Sequence, residues 1–347
     1  MIDPASLVAR AAQGDRHAVS RLVTLVEDTR PASRDRQQAA LEGLARLDRP
    51  RGRVVGVTGT PGSGKSTLLA RVTEHLLRVD AEIRIAVVAV DPSSPTSGGA
   101  LLGDRTRMRP TDTDRLFVRS QASANALGGL APSTYRVCVV LGHLFDLVLV
   151  ETVGIGQSEA DIRHLADDVY LVVGPLAGDE IQFLKAGIIE IPDAFVVSKW
   201  DEAAARRTFH QLRGSLWLAR PFDADRVRII STSALNGHGI DDLADDLSTR
   251  VRSGDADDGT VAARYFFRRW VADEWGRVGV RHLDRIGGEG ALVGSELDVV
   301  AARSGFERSL LDSLAADGAV SAAELGADGD PARVAGAALA TEHRDRP

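Results

Sequence analysis

The stretch Gly59-Thr60-Pro61-Gly62-Ser63-Gly64-Lys65-Ser66 decides the fold that this sequence predicts. It fits the pattern G-x-x-x-x-G-K-[ST], whose glycine-rich backbone curls its N–H groups around a phosphate. An apolar strand is predicted before it at 53–57, and an amphipathic helix after it at 65–79. The loop therefore meets a helix N-terminus, where partial positive charge favours anions. The predicted phosphate contacts are Gly59, Pro61, Gly62, Ser63, Gly64, Lys65, Ser66 and Thr67.

Two residues of this loop have more specific expected roles. The ammonium group of Lys65 is expected to contact the β- and γ-phosphates and to act in catalysis. The hydroxyl of Ser66 is expected to bind Mg²⁺. A glycine-rich turn that binds nothing is the competing interpretation, and the order of strand, loop and helix disfavours it.

The composition of the 347-residue chain excludes several classes of protein. A formal net charge of −7 disfavours a nucleic-acid or anionic-membrane partner. The single cysteine, Cys138, excludes an internal disulfide framework and is typical of a cytoplasmic protein. The longest apolar stretch, 137–150, is too short and too polar to span a bilayer. Eight histidines are scattered without metal-ligand spacing.

The chain downstream of the loop alternates strand-like and helix-like segments. Most of the strand candidates are near-continuous Val/Ile/Leu runs, which is typical of strands covered on both faces. This alternation predicts an α/β fold of the P-loop NTPase type, a doubly wound and mostly parallel sheet with helical extensions at both ends. The strand candidates are 53–57, 83–90, 115–119, 145–150, 168–174, 194–198 and 227–231.

Four segments are predicted along the chain. Residues 1–50 are an N-terminal helical segment, 51–251 the nucleotide-binding domain, 252–320 a C-terminal helical segment, and 321–347 a disordered tail. The C-terminal segment carries an apolar helical stripe containing Phe267, Trp270 and Trp275. Such a stripe favours a homodimer interface, although packing on the chain's own nucleotide domain is the alternative.

Acidic residues follow two of the predicted strands. Asp91 ends the second strand and Glu151 follows the fourth, while Asp104 lies in the long polar loop after the second strand. Carboxylates beside a phosphate loop hold Mg²⁺ directly or through water, so all three are candidate ligands with Ser66. Glu151 is also a candidate catalytic residue. Gly154 is expected to sense the γ-phosphate, and Gln157 to orient the attacking water.

The stretch Ser198-Lys199-Trp200-Asp201 resembles the Asn-Lys-x-Asp element that reads guanine. An ionised Asp201 only accepts hydrogen bonds, and guanine offers it two donors where adenine presents a lone pair. Serine in place of asparagine at 198 removes an amide group and is expected to loosen the base pocket. A loop after a later strand is expected to support the base through its backbone; its residues are Ser233, Ala234 and Leu235.

The chain resembles the methylmalonyl-CoA mutase-associated GTPases, the MeaB/ArgK family, over roughly 5–285. The resemblance rests on Gly59–Thr67, on Asp91-Pro92-Ser93-Ser94, on Glu151–Glu159 and on Gly178–Gly187. It implies a homodimeric G-protein chaperone that binds GTP or GDP with Mg²⁺ and gates cofactor loading and protection of an adenosylcobalamin-dependent acyl-CoA mutase. It also implies a partner-sensing switch at about 175–187.

Within that switch, Asp179 and Lys185 are the residues expected to relay nucleotide state. Three other functions compete with this interpretation. A nickel-insertion maturation GTPase would be expected to carry a histidine or cysteine cluster, and the sequence has none. A metabolic kinase would need an acceptor site. A transport-associated ATPase would not need a guanine-reading motif.

Overall fold

The computed structural model describes residues 3–91, 114–123, 130–152, 159–175, 191–220, 227–254 and 256–316. The chain folds as two compact units. The first consists of Met1–Glu27 and Leu47–Asp257, and the second of Asp28–Arg46 and Asp258–Pro347. The predicted N-terminal segment 1–50 is therefore divided, with the part up to Glu27 in the first unit and Asp28–Arg46 in the second.

A seven-stranded sheet forms the centre of the first unit, and every adjacent pair of strands is parallel. The strand order is β3-β2-β4-β1-β5-β6-β7. This confirms the predicted doubly wound α/β fold, with β1 near the middle, where the chain runs first to one side and then to the other. The strands are β1 Arg53–Gly59, β2 Ile85–Asp91, β3 Leu116–Ala122, β4 Leu147–Glu151, β5 Asp168–Val173, β6 Ala194–Val197 and β7 Arg228–Ser231.

Helices cover both faces of this sheet. They are α1 Pro4–Ala12, α2 Arg16–Glu27, α4 Lys65–Val79, α5 Pro132–Gly142, α6 Glu159–Leu165, α7 Ala203–Ala219 and α8 Ile240–Ser253. On α4, Leu68, Leu69, Val72 and Leu76 are buried against the sheet as predicted, in one core with the apolar residues of α8. Val79, the last residue of the helix, is exposed.

The N-terminal helices α1 and α2 pack within the first unit. Glu27, the last residue of α2, accepts hydrogen bonds from Arg119 and Gln121 of β3. The buried guanidinium of Arg136 on α5 donates to the main-chain oxygen of Val26 at 2.7 Å. The end of α2 is therefore attached both to the sheet and to a helix that covers it.

A charged cluster lies at the amino edge of the sheet. Arg53, the first residue of β1, donates to Asp168, the first residue of β5, at 2.6 Å. Arg250 pairs with Asp168, and the Tyr170 hydroxyl donates to Asp246. Burial and that hydrogen bond raise the pKa of Tyr170 well above its ordinary value. The cluster is far along the strands from the phosphate loop, which follows the carboxyl end of β1.

The second unit is helical and has its own core. Its helices are α3 Arg34–Ala45, α9 Thr260–Arg285 and α10 Val299–Ala316, with short 3-10 turns at Pro31–Ser33, Glu289–Ala291 and Glu296–Asp298. Arg34 of α3 forms an ion pair with Glu307 of α10.

The apolar stripe of α9 is buried inside this second unit. Phe267 and Trp270 make edge-to-face contacts with Phe306 of α10 at centroid distances of 6.1 and 6.0 Å. Trp275 is also buried. The stripe packs on α10 within its own unit, so these three side chains do not form the exposed surface that the sequence suggested. Its apolar character is explained by the core of its own unit.

Candidate nucleotide-binding site

The phosphate loop connects β1 to α4 in the predicted order. Gly64, the residue before the helix, has φ +85°, a left-handed conformation that side chains other than glycine rarely adopt. A Cβ atom on Gly59 would lie 2.0 Å from the main-chain oxygen of Val172 in β5. Glycine at 59 therefore permits the close approach of β1 and β5, and glycine at 64 permits the turn into the helix.

Lys65 lies with its ammonium group inside the curl of the loop. The residue is only 7% exposed. Its Nζ donates to the main-chain oxygens of Gly59 at 2.9 Å and of Thr60 at 3.2 Å. These bonds hold a positive charge at the centre of the loop, where an anion would be stabilised.

Ser66 and Glu151 meet where β1 and β4 run side by side. The Ser66 hydroxyl donates to Glu151 Oε1 at 2.6 Å. Glu151 ends β4 and pairs in register with Val57 of β1 on one side and Ala89 of β2 on the other. Asp91 ends β2 two residues beyond Ala89, at the same edge of the sheet.

This set of groups fits a magnesium ion. Mg²⁺ is a hard cation that prefers oxygen ligands and is held in phosphate sites by a few hydroxyl and carboxylate groups. The Ser66 hydroxyl and the Glu151 carboxylate are in contact beside the phosphate loop. Both are therefore close enough to serve one ion together with a phosphate oxygen.

The second half of the site follows β6 and β7. Lys199 has φ +54°, which is uncommon for a residue other than glycine. The Asp201 carboxylate accepts a hydrogen bond from the hydroxyl of Ser233, a buried residue of the loop after β7. Leu235, two residues later, is 83% exposed. The two motifs that the sequence predicted to read a base are thus in direct contact.

Ser198 connects this half of the site to the phosphate loop. Its hydroxyl donates to the main-chain oxygen of Ser63 at 2.6 Å and lies 3.3 Å from that of Val173. The residue is buried. Sequence reasoning treated serine here only as the loss of an amide, and it missed this bond because the partner lies 135 residues away along the chain.

Five predicted site residues lie outside the described residues: Asp104, Gly154, Gln157, Asp179 and Lys185. Of Asp91 only the strand position is described. Within the described ranges, no group of three or more His, Cys, Asp and Glu side chains could hold a metal ion. None of the helices that the structure describes is both long and apolar enough to cross a membrane.

Comparison with known proteins gives a consistent family assignment. A family model described as methylmalonyl-CoA mutase-associated GTPase MeaB matches residues 19–269. A Pyrococcus abyssi protein described as a GTPase is 41% identical over 256 residues, covering 71% of this chain and 74% of that protein. The mitochondrial methylmalonic aciduria type A homolog of Mus musculus is 36% identical over 248 residues, covering 67% of this chain and 59% of that protein.

A solved structure gives the same fold. The protein titled LAO/AO transport system kinase superposes with a TM-score of 0.58 at 23% sequence identity, covering 90% of this chain and 97% of that chain. At this identity the similarity supports the architecture, a P-loop sheet with helical additions, and nothing about substrate.

Proposed function

The chain belongs to the MeaB family of methylmalonyl-CoA mutase-associated GTPases, and from that premise we propose that it is a GTP-dependent chaperone of an adenosylcobalamin-dependent acyl-CoA mutase. The observation that carries the nucleotide-binding part of the proposal is the convergence of three features at one edge of the sheet. These are the loop around Lys65, the Ser66–Glu151 contact and the Asp201–Ser233 contact. In a parallel sheet this carboxyl edge is where ligands bind.

The proposed chemistry begins with the triphosphate. Lys65 would exchange its bonds to loop carbonyls for the β- and γ-phosphates and stabilise the charge that develops on them during hydrolysis. Mg²⁺, held by Ser66 and Glu151 together with Asp91 and Asp104, would neutralise phosphate charge. Gln157 would orient the attacking water, and Gly154 would sense the γ-phosphate.

Base selection is assigned to the second half of the site. Asp201 would accept hydrogen bonds from the ring N–H and the exocyclic amine of guanine, while Ser233 holds the carboxylate in place. Backbone groups at Ala234 and the side chain of Leu235 would border the base. Adenine would leave the Asp201 carboxylate facing a lone pair, which is why GTP is the proposed substrate.

The role of the protein in the cell is proposed from its family. GTP binding and hydrolysis would gate the loading of adenosylcobalamin into the mutase and its protection, in the cytoplasm. Residues 175–187 would relay nucleotide state to the mutase through Asp179 and Lys185. A homodimer remains part of the proposal, and its interface would have to use surfaces other than the buried stripe of α9.

Nucleotide binding is tested with purified protein by calorimetry against GTP, GDP and ATP in the presence of Mg²⁺. The proposal expects the guanine nucleotides to bind far more tightly than ATP. Equal affinity for ATP and GTP would contradict it and would favour a transport-associated ATPase or a metabolic kinase.

The chaperone role is tested by purifying the full chain from its native cells and identifying co-purified proteins by mass spectrometry. A cobalamin-dependent mutase subunit is expected. Recovery of a nickel enzyme instead would favour the metal-insertion alternative.

The proposed relay is tested with the purified mutase. The variants Asp179→Ala and Lys185→Ala should retain GTP affinity and lose the stimulation of GTP hydrolysis by the mutase. If the mutase stimulates GTP hydrolysis by both variants as strongly as by the wild type, the proposed relay through these residues is wrong.

A further inference from the structure

We propose that Trp200 and His238 are positioning residues that hold the two base-recognition loops in the geometry that selects guanine. The inference rests on the proposed function of the site, namely that Asp201 reads a guanine base. Neither residue was singled out as a ligand by its sequence context. Both lie outside the atoms expected to touch the nucleotide, so they would act through Asp201.

The two rings connect the loop after β6 with the loop after β7. The indole of Trp200 and the imidazole of His238 are stacked, with an angle of 10° between ring planes and 6.0 Å between centroids. Beside the rings, the backbone N–H of Trp200 donates to the oxygen of Thr232 at 3.0 Å. The stacked side chains and this main-chain hydrogen bond therefore connect the two loops at neighbouring positions.

His238 in turn supports the residue that holds Asp201. The main-chain oxygen of His238 accepts a hydrogen bond from the N–H of Ser233 at 2.9 Å, and its Nε2 lies 3.1 Å from the hydroxyl of Ser231. The Ser233 hydroxyl donates to Asp201. A closed ring of contacts thus runs from Trp200 to His238, to Ser233, to Asp201 and back along the chain to Trp200.

Trp200 is anchored on its other sides by α7. Phe209 contacts the indole edge-to-face at a centroid distance of 5.8 Å, and the Arg206 guanidinium lies 5.5 Å from the ring centre. The preceding residue, Lys199, has the left-handed φ of +54°. Such a conformation persists only where the surroundings hold it, and the anchored indole lies next to it together with the main-chain bonds of Lys199 and Trp200.

The consequence is a specific effect on base selection. Asp201 is expected to use both carboxylate acceptors on guanine, one for the ring N–H and one for the exocyclic amine. Hypoxanthine retains the ring N–H and lacks that amine. If Asp201 is displaced, GDP loses more affinity than IDP, because Asp201 makes two hydrogen bonds to guanine and only one to hypoxanthine. The ratio of GDP to IDP affinity therefore reports the position of Asp201. A purely structural role for the stacked pair would leave that ratio unchanged.

The test measures dissociation constants of the full-length protein for GDP, IDP and ADP by calorimetry. Trp200→Ala and His238→Ala should each lower GDP affinity by about three- to tenfold and reduce the GDP/IDP ratio, since one aromatic pair is typically worth that much. The double variant should be no weaker than the weaker single variant, because the two rings act as one unit. ADP affinity should not change.

Two further variants complete the design. Trp200→Phe retains an aromatic ring and should restore most of the GDP preference. Trp217→Ala removes a half-exposed tryptophan from the same helix that anchors Trp200 and should behave as the wild type. If Trp200→Ala does not fold, His238→Ala alone decides the question, because His238 lies on the surface.

The outcomes separate this inference from the proposed function. A wild type without preference for GDP over ADP would overturn the base-reading role of Asp201 and the inference with it. A wild type that prefers GDP, together with alanine variants that keep the wild-type GDP/IDP ratio, would overturn the positioning role alone.

Discussion

The hydroxyl of Ser198 donates a 2.6 Å hydrogen bond to the main-chain oxygen of Ser63, and this bond connects the end of β6 to the phosphate loop. Gly174 approaches the same point, since a Cβ atom there would lie 3.4 Å from Ser63 Cα. The proposed base-reading and phosphate-binding parts of the site are therefore attached to each other through buried groups. Ser198 therefore links the two parts of the site, a role that the amino-acid sequence did not indicate.

Replacing Ser198 by alanine tests the connection. The change leaves the buried Ser63 oxygen without this donor, which typically costs about 1 kcal/mol or somewhat more. We expect GDP affinity to fall by about fivefold, with a small decrease in the melting temperature. Calorimetry and thermal denaturation measure the two effects. Thr249→Ala, which removes an exposed hydroxyl from α8, is the control and should change neither.

Replacing Lys65 by alanine tests the phosphate loop. The ammonium group is the only positive charge expected to follow the γ-phosphate into the transition state from this loop, so its loss should lower the rate of GTP hydrolysis by about a hundredfold or more. Phosphate release under multiple-turnover conditions measures the rate. Arg71→Ala, which removes an exposed cation from the same helix, should retain activity. Unchanged turnover in Lys65→Ala would place the active site elsewhere.

Replacing Glu151 by glutamine tests the proposed magnesium site. Glutamine keeps the shape of the side chain and an acceptor for the Ser66 hydroxyl, but it removes the negative charge. We expect the Mg²⁺ concentration for half-maximal GTP hydrolysis to rise by about tenfold or more, while the melting temperature changes little. An unaltered Mg²⁺ requirement would show that Glu151 does not serve the ion.

Replacing Asp201 by asparagine tests the base assignment. The amide donates a hydrogen bond where the carboxylate accepted one, which suits the ring carbonyl of xanthine and not the amine of guanine. We expect affinity to shift from GDP toward XDP by about a hundredfold in the ratio. Competition between the two nucleotides at equilibrium measures the shift. A variant that still prefers GDP would mean that another group reads the base.

Replacing His282 by glutamine tests a source of pH dependence in the helical unit. Burial, and then the nearby Arg285 charge, lower the pKa of His282. It bonds to the Ser309 hydroxyl at 2.9 Å and contacts the Phe306 ring. Because the unfolded chain then binds the proton more readily, stability is complete above the ordinary histidine pKa of about 6.5 and falls as pH decreases through the folded value.

The variant should therefore lose less stability than the wild type between about pH 7 and pH 5. Thermal denaturation at a series of fixed pH values measures this difference. His210→Gln, at an exposed position on α7, should keep the wild-type pH profile. Parallel profiles for the wild type and His282→Gln would assign the acid sensitivity to other groups.

The features that the sequence predicted well are local ones. The helix over 65–79 was predicted with the bounds that the structure shows, and all seven strands lie where the apolar runs placed them. Residues close together in the chain determine these features: a loop that requires glycine at 59 and 64, the strand before it and the helix after it. The phosphate loop and the fold class were therefore readable without a structure.

Tertiary structure alone decided which partner covers each apolar or polar group. The stripe with Phe267 and Trp270 was recognisable as a surface to be buried, yet only the fold shows that Phe306 of the same chain covers it. The bond from Ser198 to Ser63 and the stack of Trp200 on His238 likewise join residues from different strand ends. Periodicity in a sequence encodes that a face is buried, because burial depends on the residue itself. It does not encode the partner, because that depends on how distant segments pack.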